Sequence, residues 1–323
     1  MMNLAILGAG NIARKMATTV NQMDDVHLYA VGSRSLSNAQ AFAEEFAIPN
    51  AYGSYEELVK DPGVDLVYVC TPHSHHYEHM KLALEHNKHV LCEKAFTVNA
   101  KQAKEILDLG KKKGLLVAEA IWTRYLPMRT VLDQILARRV IGEVQTLTAN
   151  LAYPVAHIER MWNPELAAGS LLDLSVYTIN FAMMVFGNEI ETINGVCTKT
   201  KTGVDESNSI TLTWAGGKMA TLHASMISVG DRRGAIFGSK GFIEFENINN
   251  CEGIRVYDKE YNLIETYKPF KQITGFEFQV EACKRAIDSG ATECEQMPHS
   301  EILNVMNVMD ELRHQWGITY PME

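Results

Sequence analysis

The sequence is short of several things, and each shortage removes a class of protein. No stretch of roughly 18 consecutive apolar residues occurs, so a membrane-spanning helix is not expected. The chain goes straight into a strand-like "NLAILGAG" without a basic leader and cleavage site, so export is not expected either. Lysine and arginine number 30 against 39 acidic residues, the formal net charge is -9, and no basic run stands out beyond Lys111, Lys112 and Lys113. Nucleic acid and anionic membrane are therefore poor candidate partners. The six cysteines show no CxxC pairing, and Cys70 and Cys92 sit in apolar strand contexts where a thiol behaves as a small hydrophobe. The expectation is six reduced thiols in a soluble, cytoplasmic protein. Internal repeats and low-complexity tracts are missing as well.

What is present is a change of rhythm. With 323 residues the chain is long enough for about two domains. Over the first third, short apolar runs ("LAILGAG", "VHLYAVGS", "VDLVYVCTP", "HVLCEKA", "LLVAEAIW") alternate with helical segments ("LSNAQAFAEEFA", with Ser37 as a cap, "SYEELVKD", "HHYEHMKLALEHN", "NAKQAKEILDLGKKKG"). Apolar strands separated by helices predict a parallel sheet wound on both faces. From about residue 142 the pattern becomes consecutive strands joined by hairpin-like turns such as Gly216-Gly217, with helices near 171–186, 276–289 and 300–316. The expected class is α/β. A doubly wound, Rossmann-type domain over 1–121 precedes an α+β domain over 122–323 with a large open, mostly antiparallel sheet. Alternating apolar positions in "KMATLHASMIS" suggest that a partner covers the open face.

The motif "GAGNIA" joins the first strand to the first helix. There Gly8 and Gly10 permit a tight turn, and the backbone at Asn11 and Ile12 opens a helix N-terminus toward a pyrophosphate. Alone the pattern is weak, and its strand-turn-helix setting is what raises it above an ordinary glycine turn. An NAD site expects an acidic residue about 20 positions on. Here the second strand ends in Gly32, Ser33 and Arg34, a hydroxyl and a guanidinium that suit a 2'-phosphate, so NADP is favoured over NAD. The bland alternative for Arg34 is a solvated loop cation.

"CTPHSHHYEH" has the look of a metal site, with His75 and His79 four apart and His73 and His76 beside them. No cysteine lies at ligand spacing and no HExxH occurs, so no metal is assigned. The stretch follows a sheet strand where the nicotinamide half of a dinucleotide would lie. Thr71, Pro72, His73 and His76 are accordingly read as lining the cofactor cleft, with His75 and His79 solvated. The last parallel strand but one then runs from Val90, Leu91 and Cys92 into Glu93 and Lys94. Such charges are rarely buried unless paired, so this strand end should open into a cleft. A surface ion pair between the two neighbours is the competing reading, but adjacent strand residues point to opposite faces.

Taken in order, "GAGNIA", "SRS", "TPHSHH", "CEKAFTVNAKQA", "EAIWTRYLP" and "GSLLDLSVYTINF" resemble the Gfo/Idh/MocA family of NAD(P)-dependent oxidoreductases. Within it, "EAIWTR", the tyrosine after "LLD", the "TGVDE" loop at 202–206 and the "GITYP" ending are similar to the dimeric dihydrodiol dehydrogenase-like members. The resemblance covers nearly the whole chain. It implies that Lys94 is catalytic, its ammonium stabilising a developing alkoxide and assisting proton transfer, and that Glu93 orients Lys94 or contacts the nicotinamide ribose. It also implies that Tyr177 stands where many members have histidine, that Asp173 positions Lys94 and Tyr177, and that the chain forms a homodimer or higher oligomer through its C-terminal sheet. A phenol near a lysine can have its pKa lowered, which suits it to move a substrate proton. Without the resemblance, Tyr177 reads as a half-buried aromatic and Asp173 as a helix-surface acid, four apart on one helix face.

Two departures stand out. Ala95 replaces the usual proline after the lysine, which removes a fixed φ and loosens the expected backbone. Ala168, Gly169 and Ser170 replace a glycine run, and their side chains are expected to narrow the substrate approach. Trp122 and Arg124 are candidate cofactor contacts. Trp122, Arg160 and Trp162 are candidate walls for an apolar or sugar ring, and each fits packing or a domain hinge equally well. The expected activity is hydride transfer between NADP and a hydroxyl or carbonyl carbon of a sugar, cyclic polyol or dihydrodiol-like compound. The rival reading is a non-catalytic dinucleotide-binding sensor or regulator on the same fold.

Overall fold

The structure is a computed structural model and describes residues 1–323. Leu4, Ala5, Ile6 and Leu7, like Leu66 to Val69 and Val90 to Cys92, are fully or almost fully shielded from solvent, as expected of strands covered on both faces. They belong to β1 (Met2–Leu7), β4 (Leu66–Val69) and β5 (His89–Glu93), which join β2 (Val26–Gly32), β3 (Asn50–Tyr52) and β6 (Val117–Ala120) in one sheet. Its order is β3-β2-β1-β4-β5-β6 and every pairing is parallel. The connecting helices are α1 (Asn11–Val20), α2 (Leu36–Phe46), α3 (Tyr55–Lys60), α4 (His73–Glu85) and α5 (Ala100–Lys113). The strand order reverses between β1 and β4, and ligands of such sheets bind at the carboxyl ends there.

Local chemistry starts these helices. Ser54 and Asn99 accept from Glu57 N-H at 3.2 Å and Gln102 N-H at 2.9 Å, and Gly114 ends α5 in the left-handed region. The cap of α2 is Ser35 rather than Ser37, which lies inside the first turn.

The second sheet runs β14-β13-β12-β11-β7-β10-β9-β8. Its strands are β7 (Val144–Ala152), β8 (Ile190–Lys199), β9 (Asp205–Trp214), β10 (Lys218–Ser225), β11 (Gly234–Gly238), β12 (Gly241–Glu246), β13 (Gly253–Asp258) and β14 (Leu263–Tyr267). All pairs are antiparallel except the central β7–β10. Gly216 and Gly217, at φ 79 and 78, turn the β9–β10 hairpin as expected. Helix α7 (Val176–Phe186) packs on β7 and β10, and α6 (Pro127–Ala137), which the sequence reading did not anticipate, starts on a proline at its first turn. Helices α8 (Glu277–Asp288) and α9 (His299–Trp316) complete the chain.

Two expectations need correction. By composition and length, 164–186 could cross a membrane although its apolar residues are not consecutive, so a span-like segment is present where none was expected, and it is mostly buried within the protein. In "KMATLHASMIS" the alternating Ala220, Leu222, Ala224 and Met226 are buried, whereas Met219, Thr221 and His223 face outward. Packing within the sheet's own unit explains the alternation, so it does not argue for a partner.

The chain divides into two compact units, Met1–Trp122 with Gln272–Leu303 and Thr123–Lys271 with Asn304–Glu323. The return of 272–303 to the first unit had no signal in the sequence. It is secured by hydrogen bonds from Val117 N-H to Thr292 O at 3.0 Å and from His299 Nε2 to Val117 O at 2.9 Å.

Candidate functional site

In the first unit, a cleft of about 490 Å³ opens at the carboxyl ends of β1, β2 and β4. Six of the residues read as cofactor contacts line it: Gly8, Gly10, Ser33, Arg34, Thr71 and Pro72. Gly8 has φ +117, and a Cβ there would press on the Cys70 carbonyl and thiol at 3.2 and 3.3 Å. Gly10 faces open space, and Asn11 and Ile12 form the first turn of α1 behind it. This arrangement leaves room for a pyrophosphate against main-chain N-H groups, so the residues present fit a dinucleotide. Arg14, Asn38 and Tyr55 also line the cleft and were not anticipated. Arg14 pairs with Glu45 and lies 5.5 Å over the Phe42 ring, occupying the one carboxylate at this wall.

The charge of Arg34 reaches Tyr55, His75 and His79. Burial first, and then the neighbouring positive groups, push His79 down to about 4. His79 is not a solvated surface residue: its Nδ1 meets Thr71 Oγ1 at 2.9 Å and its ring packs 4.6 Å from that of Tyr55.

The turn after β5 carries Lys94. Glu93 is buried and accepts the hydroxyl of the fully buried Tyr68, whose pKa burial and Glu93 together push up. The Lys94–Ala95 peptide is cis. On either side of it, Lys94 O accepts from His73 Nε2 at 3.2 Å, Ala95 O meets His76 Nδ1 at 2.9 Å, and Phe96 N-H donates to Glu119 Oε1 at 3.1 Å. Ala95 and Phe96 are fully buried. The missing proline therefore does not loosen this backbone. Three long-range hydrogen bonds hold it instead.

His76 does not line the cleft. It is completely buried, its Nε2 also faces Thr71 O at 2.8 Å, and burial lowers its pKa to about 4. A neutral imidazole has one N-H, so at pH 7 it donates to one of its two carbonyls. Trp122 is likewise 6 % exposed and sits in packing, its ring 4.9 Å from Phe276 and 4.3 Å from the Lys15 ammonium. Glu277 accepts three N-H groups of 273–275 and so fixes the loop that covers Trp122.

In the second unit, Asp173 lies on a π-helical turn (Leu171–Ser175) that runs into α7, where Tyr177 is buried at 8 % exposure. The sequence reading put the pair on one face of a regular helix. The wider i→i+5 turn means that α-helical spacing does not hold across it. Asp173 accepts from Arg160 Nη1 at 2.6 Å, and Arg160 is half exposed. Arg124, expected at the cofactor, is buried, and its Nε donates to Asn180 Oδ1 at 2.6 Å on α7. Trp162 is 38 % exposed, and its carbonyl accepts from Thr202 Oγ1 at 2.5 Å. Ala168 and Ser170 are buried, with Ser170 Oγ donating to Glu206 O at 2.6 Å, so these side chains point into the protein and are accommodated there.

Comparison with known proteins gives concordant matches. Residues 2–120 match the model of an oxidoreductase family with an NAD-binding Rossmann fold, and residues 130–244 match the GFO/IDH/MocA C-terminal domain. Over 324 residues the chain is 32% identical to trans-1,2-dihydrobenzene-1,2-diol dehydrogenase of Xenopus tropicalis, covering 98% of both chains. It is 32% identical over 327 residues to the protein of that name from Sus scrofa, again with 98% of each covered. Among solved structures, the 3-ketoreductase KijD10 from Actinomadura kijaniata, in complex with NADP and TDP-benzene, superposes with a TM-score of 0.89 at 23% identity over 97% of each chain. Aldose-aldose oxidoreductase from Caulobacter crescentus gives 0.86 at 22% over 97% of this chain and 96% of that one. These two likenesses speak for the fold.

Proposed function

The chain belongs to the Gfo/Idh/MocA family of oxidoreductases, and from that premise we propose that it is an NADP-dependent dehydrogenase or reductase of a vicinal diol, cyclic polyol or sugar. The observation that carries the cofactor reading is the cleft itself. Gly8 and Gly10 leave the α1 N-terminus open, while Ser33 and Arg34 stand at the β2 end and the one carboxylate lining the cleft, Glu45, is paired with Arg14. When bound, the nicotinamide supplies or accepts the hydride.

The remaining work falls to side chains of this protein. Lys94 places a positive charge where the substrate oxygen gains electron density, and the main chain from Lys94 to Phe96 is held by His73, His76 and Glu119. Tyr177 moves the proton of that oxygen, and Asp173, held by Arg160, positions it. Glu93, kept in place by Tyr68, contributes a fixed negative charge next to Lys94. The ring of the dihydrodiol used by the sequence relatives is the first substrate to try, with sugars and polyols beside it.

The test is to mix purified protein with NADP+ or NAD+ and a panel of trans-dihydrodiols, cyclic polyols and aldoses, following absorbance of the reduced nicotinamide. Turnover with a preference for NADP+ supports the reading. Tight NADP+ binding without turnover on any compound would replace it with a sensor or regulator. Six free thiols suit a cytoplasmic setting. Two copies are proposed to pair through the outward face of the eight-stranded sheet, where Met219, Thr146 and Phe237 form one cross-strand row and Val196 is 70% exposed. Light scattering at a single 36.1 kDa chain would overturn the pairing.

A further inference from the structure

Two stretches that mark the family resemblance have no part in the reaction above: the loop at 202–206 and the ending at 317–321. Within the second unit both arrive at the same four residues, Ala168 to Leu171. Asp205, the first residue of β9 and 1 % exposed, accepts Leu171 N-H at 2.7 Å and the Asn208 side-chain amide at 2.9 Å, both through Oδ2. Its Oδ1 is buried against Gly169 without a hydrogen-bond partner. Gly169 has φ +123 and a Cβ there would collide with Oδ1, so the position demands glycine twice over. The Tyr320 hydroxyl donates to Ala168 O at 2.6 Å. The tail that presents it is itself fastened. Tyr320 N-H donates to Glu323 at 2.9 Å, the two Glu323 oxygens each take Arg313 at 2.8 Å, and the Arg313 guanidinium lies 5.0 Å over the Tyr320 ring.

The segment so gripped leads directly into the π turn, whose far end is held too. Asn208, the residue hydrogen-bonded to Asp205, accepts Ser175 Oγ at 2.8 Å through its Oδ1. Wide turns of this kind are rare and are found inside α-helices frequently at functional sites. A relaxation to regular i→i+4 bonding would rotate Asp173 relative to Tyr177. β9 contacts the wide turn at both of its ends, at Leu171 through Asp205 and at Ser175 through Asn208.

We propose that Asp205 and Tyr320 are positioning residues, a bracket on Ala168–Leu171 that holds the π turn and so sets Asp173 against Tyr177. The proposal rests on the roles given above to Asp173 and Tyr177. Neither bracket residue touches reacting atoms in this scheme.

Three full-length variants test it: Tyr320→Phe, Asp205→Ala and Asp205→Asn, which retains an acceptor oxygen for Leu171 and Asn208. Each is read by hydrogen-deuterium exchange of peptides covering 168–180, by NADP+ titration and by turnover of the best diol or sugar. Tyr320→Phe and Asp205→Ala are expected to raise exchange at 168–180 while peptides of the first unit stay unchanged. Their kcat should fall about 10- to 100-fold, as for a misplaced catalytic group, with the Kd for NADP+ preserved. Asp205→Asn should stay within about 3-fold of the parent, because the hydrogen bonds it keeps are the ones that matter. Faster exchange with unchanged kcat, unchanged exchange in both deletion variants, or loss of NADP+ affinity in step with kcat would each overturn the bracket. A parent enzyme that turns over nothing defeats the proposed reaction instead, and the exchange data still decide whether the bracket holds the turn.

Discussion

The turn at Lys94 and the turn at Asp173 solve the same problem with opposite chemistry. Each presents a polar side chain from main chain that must not move, and each is pinned by buried polar groups from distant parts of its own unit. At Lys94 one of the pins is an imidazole kept neutral by burial, His76, with a pKa lowered to about 4. At Asp173 the pin is a carboxylate, Asp205, whose pKa burial raises to about 6 despite its hydrogen bonds to Asn208 and Leu171. A neutral pin costs little at pH 7, whereas a carboxylate with one oxygen unpaired is expensive to bury. Burying Asp205 is therefore one place where this fold gives up stability to hold a shape.

The sharpest way to break the comparison is to remove what the first turn presents. Lys94→Ala is expected to lower kcat by about 10² to 10⁴ while leaving the Kd for NADP+ within a few-fold, measured by steady-state rates and fluorescence titration. A pH series of chemical denaturation then separates the two pins. Asp205 ionises near 3.8 when unfolded and near 6 when folded, so the folded state keeps a proton that the unfolded chain has lost, and its contribution to stability falls as pH rises from about 4 to 6. The size is about 3 kcal/mol, and Asp205→Asn should abolish that fall. His76 works in the reverse sense: it is protonated near 6.5 when unfolded and near 4 when folded, so its contribution is complete above 6.5 and is lost as pH drops toward 4.

His76→Leu should remove the acid-side loss and also cost about 1–3 kcal/mol at pH 7, because a buried carbonyl of Ala95 or Thr71 is left without a donor. The smallest effect concerns the cleft. Arg34 is exposed, so Arg34→Ala should raise KM for NADP+ only about 10-fold and leave that for NAD+ unchanged.

How much of this could be read in advance depended on distance along the chain. The Gly8–Gly10 cradle, the Ser33–Arg34 strand end and the β9–β10 hairpin are local in sequence, and local patterns of glycine, apolar spacing and strand ends predicted them. His76 is predicted as cleft lining but is fully buried, because its partner, the Ala95 carbonyl, lies 19 residues away, just as His73 meets the Lys94 carbonyl 21 residues away. The cover of Trp122, Phe276 and Lys15, likewise belongs to segments that only the folded chain brings to it. The π turn was invisible because "LLDLSVYTINF" has the composition of an ordinary buried helix, and its selection depends on Asp205 and Asn208 more than 30 residues on. Arg14 and Tyr55 could have been flagged as one turn into α1 and the first residue of α3, positions that face a dinucleotide cleft by topology.

In the proposed reaction the Lys94 amine and the Tyr177 phenol act on one proton. Single-turnover hydride transfer should be measured for Lys94→Ala, Tyr177→Phe and the double variant, all saturated with NADP+. Groups working as one unit predict that each single change slows the step at least about 100-fold and that the double variant is no more than about 10-fold slower than the worse single. Rates within about 3-fold of the parent in either single variant, or two losses that simply multiply, would contradict the account.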